Sequence, residues 1–281
     1  MIKRILVPVD FSENSVNAID LAVEIANVTQ ANLRLIHIRT GKRYFPEFAR
    51  NNPDLLLADF DLTYMNVLLK RALVKFTAPN RELDFKIREG NVVREISNQA
   101  HYDDTTLIVI GTHGVSGFED RWMGSNAFRL VAHAPCPVLT VRQEVPLTKD
   151  LKILLPIDHS KISRRIVSRV AGFSYLIGAK ILLVGVNENN RWFKPGSLGQ
   201  LQRQIEKYLT KNNLTNFESI SLSGTLSPSQ TLEYAIENEV SFIALPVRKS
   251  VNPFDSFFNP FANELLNISS LPILVVPEKN F

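Results

Sequence analysis

Short apolar runs alternate with amphipathic stretches along the whole chain. In the first half the runs fall at residues 3–9, 33–38, 84–88, 106–110 and 138–141. Most are short and rich in Val, Ile and Leu, the pattern of strands in a parallel sheet covered on both faces. Between the first two runs, Ala18, Leu21, Ala22 and Ile25 sit at i, i+3, i+4 and i+7, which predicts one apolar helix face. Ser12 is an N-cap candidate for that helix and Glu13 an early acid. A second stripe through Leu62, Met65, Leu69 and Leu73 predicts another helix. Repeated strand–helix–strand alternation of this kind predicts a doubly wound α/β domain.

The same plan occurs twice. Leu6-Val7-Pro8-Val9-Asp10 returns 148 residues later as Leu154-Leu155-Pro156-Ile157-Asp158, and residues 35–38 match 183–186 at that offset. Residues 137–141 match 272–276 at an offset of 135, so the second copy is shorter by 13 residues in its middle. Two domains are expected, at 1–145 and 150–281, joined by a linker over 143–150 that carries Pro146. In the second, strands are expected at 152–157, 180–186, 219–222, 242–245 and 273–276. Its helices are expected near 160–177, 198–209, 228–237 and 261–268.

Composition fits this division. The chain has 281 residues, 45% of them apolar and 21% charged, which excludes a disordered or disulfide-scaffold chain and suits two domains. The single cysteine, Cys136, cannot form an internal bridge and suits a reducing compartment. The apolar run before Asp10 is too short for a signal peptide core, and no stretch approaches the roughly 18 apolar residues of a membrane span. A cytoplasmic protein with no membrane partner is expected. The net charge of +4 is unevenly placed: residues 1–145 carry 17 basic and 17 acidic side chains, residues 146–281 carry 15 and 11. Lys161, Arg164, Arg165 and Arg169 cluster on the second half's first helix. They read as a solvated face or, more sharply, as a dock for an acidic partner; nucleic acid is not expected.

The densest chemical signal follows the fourth apolar run. Gly111-Thr112-His113-Gly114 leads through Gly117 and Phe118 to Gly124-Ser125-Asn126 and a helix over 127–132, a Gly-x2-Gly-x9-Gly-Ser spacing. Glycines let backbone approach a ligand closely, and a helix start presents N–H groups and a favourable dipole to an anion. A single such glycine would mean only a turn. Three glycines and a serine between a buried strand and a helix start point to phosphate. The spacing is neither that of a Walker A loop nor that of a dinucleotide fingerprint.

Val7-Pro8-Val9-Asp10-Phe11-Ser12, this loop, and His133-Ala134-Pro135-Cys136-Pro137-Val138-Leu139 together resemble the universal stress protein family. The resemblance covers both halves and implies a tandem member. It implies two Rossmann-like, adenine nucleotide alpha hydrolase-like domains, each with a five-stranded parallel sheet and helices on both faces. It also implies ATP bound in the first half, with Mg²⁺ open as a counter-ion on the phosphates. Pro8 and Asp10 would lie near the adenosine, Ile38 against the adenine, and Ile110 and Gly111 along the adenine and ribose edge. Gly114, Gly124, Ser125 and Asn126 would hold the phosphates, although Asn126 departs from the small apolar residue common there. In single-domain members the last strands pair across a dimer; here the resemblance implies an intramolecular pseudo-dimer, with a homodimer also open.

At an offset of 135, Gly111, Gly114, Gly124 and Ser125 become Pro246, Lys249, Asn259 and Pro260. Proline removes an amide donor, so one nucleotide site per chain is expected. Phenylalanines at 254, 257, 258 and 261 read as a loop folded over the lost cleft, or as a lipid or partner patch. The five histidines show no metal-ligand spacing, and no nucleophile elbow occurs, so neither catalytic nor metal residues are assigned. The favoured function is a regulatory, ATP-binding stress protein. The alternatives are a slow ATPase or autokinase using Thr112 and Ser125 beside the phosphates, and a nucleotide-independent module for an unknown protein partner.

Overall fold

The computed structural model describes residues 2–41, 59–112, 124–147, 149–157, 164–185, 197–221, 227–247 and 260–277. The chain forms two compact units, dividing after Leu147. The first contains β1 (Arg4–Val9), α1 (Glu13–Thr29), β2 (Asn32–Arg39), α2 (Phe60–Lys75), β3 (Leu83–Glu89), α3 (Val92–Tyr102), β4 (Leu107–Gly111), α4 (Ser125–His133) and β5 (Val138–Val141). The second contains β6 (Lys152–Ile157), α5 (Arg164–Ile177), β7 (Lys180–Gly185), α6 (Ser197–Lys211), β8 (Phe217–Ser221), α7 (Pro228–Glu237), β9 (Phe242–Val247), α8 (Pro260–Ile268) and β10 (Ile273–Pro277).

The strand order is β3-β2-β1-β4-β5 in the first unit and β10-β9-β6-β7-β8 in the second, the same topology. Neighbouring strands within each unit run parallel. Registers repeat residue for residue. Ile5 pairs with Leu107 as Ile153 pairs with Phe242, and Gly111 pairs with Val141 as Pro246 pairs with Val276. Leu33 opposite Leu83 corresponds to Ile181 opposite Phe217, which places the length difference between the second and third strands of each unit.

The central strands are apolar because both faces are covered: Ile5, Leu6, Val7, Leu35, Ile36, Ile108 and Val109 are all fully buried. The first helix buries Ala18, Leu21, Ala22 and Ile25, the predicted face. Ser12 is its N-cap and accepts a bond from the Ser15 amide, while Gln30 ends it in the left-handed conformation.

The second helix corrects the sequence reading. Its core face is Phe60, Met65, Leu68 and Ala72, whereas Leu62 and Leu73 of the expected stripe are 45% and 47% exposed. Val67 and Val74 are exposed as well. Apolar residues lie on more than one side of this helix, with Val67 and Val74 roughly opposite Met65, so periodicity could not fix which face turns inward.

At the amino ends of the first unit's strands lies a buried ionic cluster. The Arg34 guanidinium binds Asp84 and, at 2.7 Å, both carboxylate oxygens of Asp103, to which the fully buried Gln99 also donates. These carboxylates hold the Arg34 pKa above its ordinary value against the opposing effect of burial. In the second unit the matching register position is Leu182, and Lys152 donates to the carbonyl of the helix-capping Asn238 instead.

Candidate functional site

Open α/β sheets bind ligands beyond the carboxyl ends of their strands, where the chain path reverses. In the first unit that point lies between β1, which leads on to β2, and β4. A cleft of about 750 Å³, counted to its open mouth, lies there. Its lining includes Pro8, Asp10, Ile38, Ile110, Gly111, Gly124, Ser125 and Asn126. Gly114 lies outside the described residues.

Each wall follows from local structure. Asp10 follows the last residue of β1 and is exposed, with its Oδ1 accepting from the Ser12 amide at 3.1 Å and the Ser12 hydroxyl at 2.6 Å. Ser12, not Asp10, caps the helix. Ile38 on β2 and Ile110 on β4 supply apolar surface. Gly111 ends β4 against the first turn of α1, where a Cβ would lie 2.7 Å from the Asn14 carbonyl carbon and 2.8 Å from the Ser15 nitrogen. A glycine here is therefore required by packing as well as being part of the cleft.

The loop that leaves at Thr112 returns at Gly124, whose amide donates to the Thr112 carbonyl at 2.7 Å. Gly124 is the N-cap of α4 and has no side chain to cap it, while Ser125 and Asn126 are exposed in its first turn. First-turn amides of a helix lack intrahelical acceptors and carry the positive end of the dipole. The α1 terminus is different, because Ser12 already occupies the Ser15 amide. Among the described residues three helices start at the cleft: α1 and α3 are capped by the side chains of Ser12 and Asn91, and α4 has no such cap.

Several lining residues were not singled out by sequence. Val92 and Ile96, one helical turn apart on α3, form a further apolar wall. Their spacing was visible, but only the fold brings α3 to this cleft. His37 also lines it, with Nδ1 2.8 Å from the Val9 carbonyl, so Nδ1 carries the proton. Thr112, offered as a residue beside phosphates, also lines the cleft; it is buried, with its hydroxyl toward the Val141 carbonyl at 3.5 Å.

Among the described residues Asp10 is the one carboxylate of the lining, and no three His, Cys, Asp or Glu side chains gather as a metal site. Cys136 is buried. His133 is exposed and bonds the Arg129 carbonyl, and His113 and His159 lie outside the described residues. Of the four clustered cations, Arg169 is half-buried and donates to the Pro277 carbonyl. Lys161 and the side chains of Arg164 and Arg165 lie outside the described residues, as do Phe254, Phe257 and Phe258. Among the described residues no helix is long and apolar enough to cross a membrane.

A sequence model of the Universal stress protein family matches residues 1–142. The chain belongs to the universal stress protein family. The universal stress protein YxiE of Bacillus subtilis is 29% identical over 152 residues, half of this chain and all of YxiE. The crystal structure of a universal stress protein from Archaeoglobus fulgidus is 17% identical, covers 98% of each chain and superposes with a TM-score of 0.76, a likeness of fold. A further universal stress protein, solved in complex with cAMP, is 22% identical over half of this chain, with a TM-score of 0.37. The family match falls on the unit that holds the cleft, and the fold likeness extends over both.

Proposed function

We propose that this cytoplasmic universal stress protein binds ATP in the cleft of its first unit and acts as a regulator in the stress response rather than as a metabolic enzyme. The observation that carries the reading is the start of α4, without a side-chain cap, opening on a cleft that also has apolar walls. The α4 amides and the Ser125 hydroxyl suit phosphate oxygens. Ile38, Ile110, Val92 and Ile96 suit a flat base, and the exposed Asp10 carboxylate between them suits ribose hydroxyls. With Asp10 as the only carboxylate among the described lining residues, those residues leave a Mg²⁺ to take most of its ligands from the phosphates.

Ser125→Asp tests this. An acid in the first turn of a helix is structurally favourable, so the fold should hold and the melting temperature without nucleotide should not fall. ATP affinity, measured by equilibrium titration, should drop by at least about tenfold as the new charge meets the phosphates. Unchanged affinity would remove α4 from the site.

A further inference from the structure

Phe11 stands between the cleft residue Asp10 and the cap residue Ser12, and its backbone is left-handed, with φ at 65°. That conformation is sterically unfavourable for a bulky side chain and persists only when the surroundings enforce it. Here they do. The Phe11 ring is 7% exposed and stacks on His37, with centroids 4.3 Å apart and planes at 24°. Phe60 and Tyr64, from the start of α2, meet it edge-on at 5.5 and 5.2 Å. His37 is itself fixed by its bond to the Val9 carbonyl.

The turn made at Phe11 brings the Ser12 amide and hydroxyl back onto Asp10 Oδ1. This is a side-chain-to-backbone turn two residues on, of the kind Asp favours. It fixes the direction of the carboxylate and leaves Oδ2 without a hydrogen bond among the described residues. Tight packing of four rings on one backbone position exceeds what the capping of α1 needs, since Ser12 supplies that cap with its own hydroxyl.

We infer that Phe11 is a positioning residue for the nucleotide site: the ring cluster of Phe11, His37, Phe60 and Tyr64 holds the strained turn that aims the free oxygen of Asp10 at the ribose. This rests on the ATP reading above. It adds that α2, a helix that contributes no residue to the cleft lining, controls recognition of the sugar through Phe11.

A double-mutant cycle on the full chain tests it. Phe11→Ala and Asp10→Ala should each weaken ATP binding about tenfold, and the double variant should bind no worse than Asp10→Ala alone. Against 2′,3′-dideoxy-ATP, which offers Asp10 no hydroxyl, Phe11→Ala and the parent protein should bind alike. Should Phe11→Ala fail to fold, Phe60→Leu runs the same cycle with an expected loss of about threefold. Losses that add, or an equal loss for the dideoxy nucleotide, would show Phe11 acting on structure alone and overturn the inference. No binding of ATP by the parent protein would instead end the ATP reading, and this inference with it.

Discussion

The two units share strand order and register, yet their strand ends differ in chemistry. Where β4 ends in Gly111, pressed against the backbone of α1, β9 carries Pro246 at the same register. Where β2 carries Arg34, held by Asp84 and Asp103, β7 carries Leu182. The topology is maintained by apolar central strands that both units keep. Positions toward the strand ends were free to diverge, so one topology carries two different sets of strand-end chemistry.

The ionic cluster offers the strongest way to break this comparison. Arg34→Leu installs the second unit's residue but leaves the Asp103 carboxylate, which is only 3% exposed, with Gln99 and the more distant Arg4, 3.7 Å away. Denaturant unfolding should show a loss of about 3–5 kcal/mol, as expected when one partner of a buried pair is removed. Adding Asp103→Asn copies the second unit's pairing of Leu182 and Asn238 and should recover most of that loss. Failure to recover would mean that the two units do not tolerate each other's solutions at this position.

Gly111→Ala should come next. Its Cβ meets backbone rather than a movable side chain, so the first unit should lose about 1–3 kcal/mol of stability. ATP affinity should fall as well, because α1 and β4 would move apart at the cleft. A neutral result would show that this close approach is dispensable. The smallest effect is expected from Pro246→Gly, which copies the first unit's residue into the second. Stability should change by about 1 kcal/mol or less through the unfolded chain. No second nucleotide should bind, because the rest of the motif is still missing.

Much of this was legible in the sequence. Strands are periodic and apolar for a single reason, burial on both faces, and the expected runs at 3–9 and 138–141 match β1 and β5 to within a residue. The α2 face was not legible, because Val67 and Val74 put apolar side chains roughly opposite the stripe of Leu62, Met65, Leu69 and Leu73, and only packing selects Met65 and Leu68. The glycine spacing pointed to the α4 terminus, since that chemistry is local. The contributions of Val92, Ile96 and His37 are tertiary, and the left-handed turn at Phe11 has no signature in a phenylalanine.

The central claim is that one unit of this pair kept a nucleotide site and the other did not. Calorimetric titration of the full chain with ATP tests it most directly. The account predicts saturable binding of one nucleotide per chain, abolished by Ser125→Asp and untouched by Pro246→Gly. No binding at millimolar ATP, or two nucleotides per chain, would contradict it.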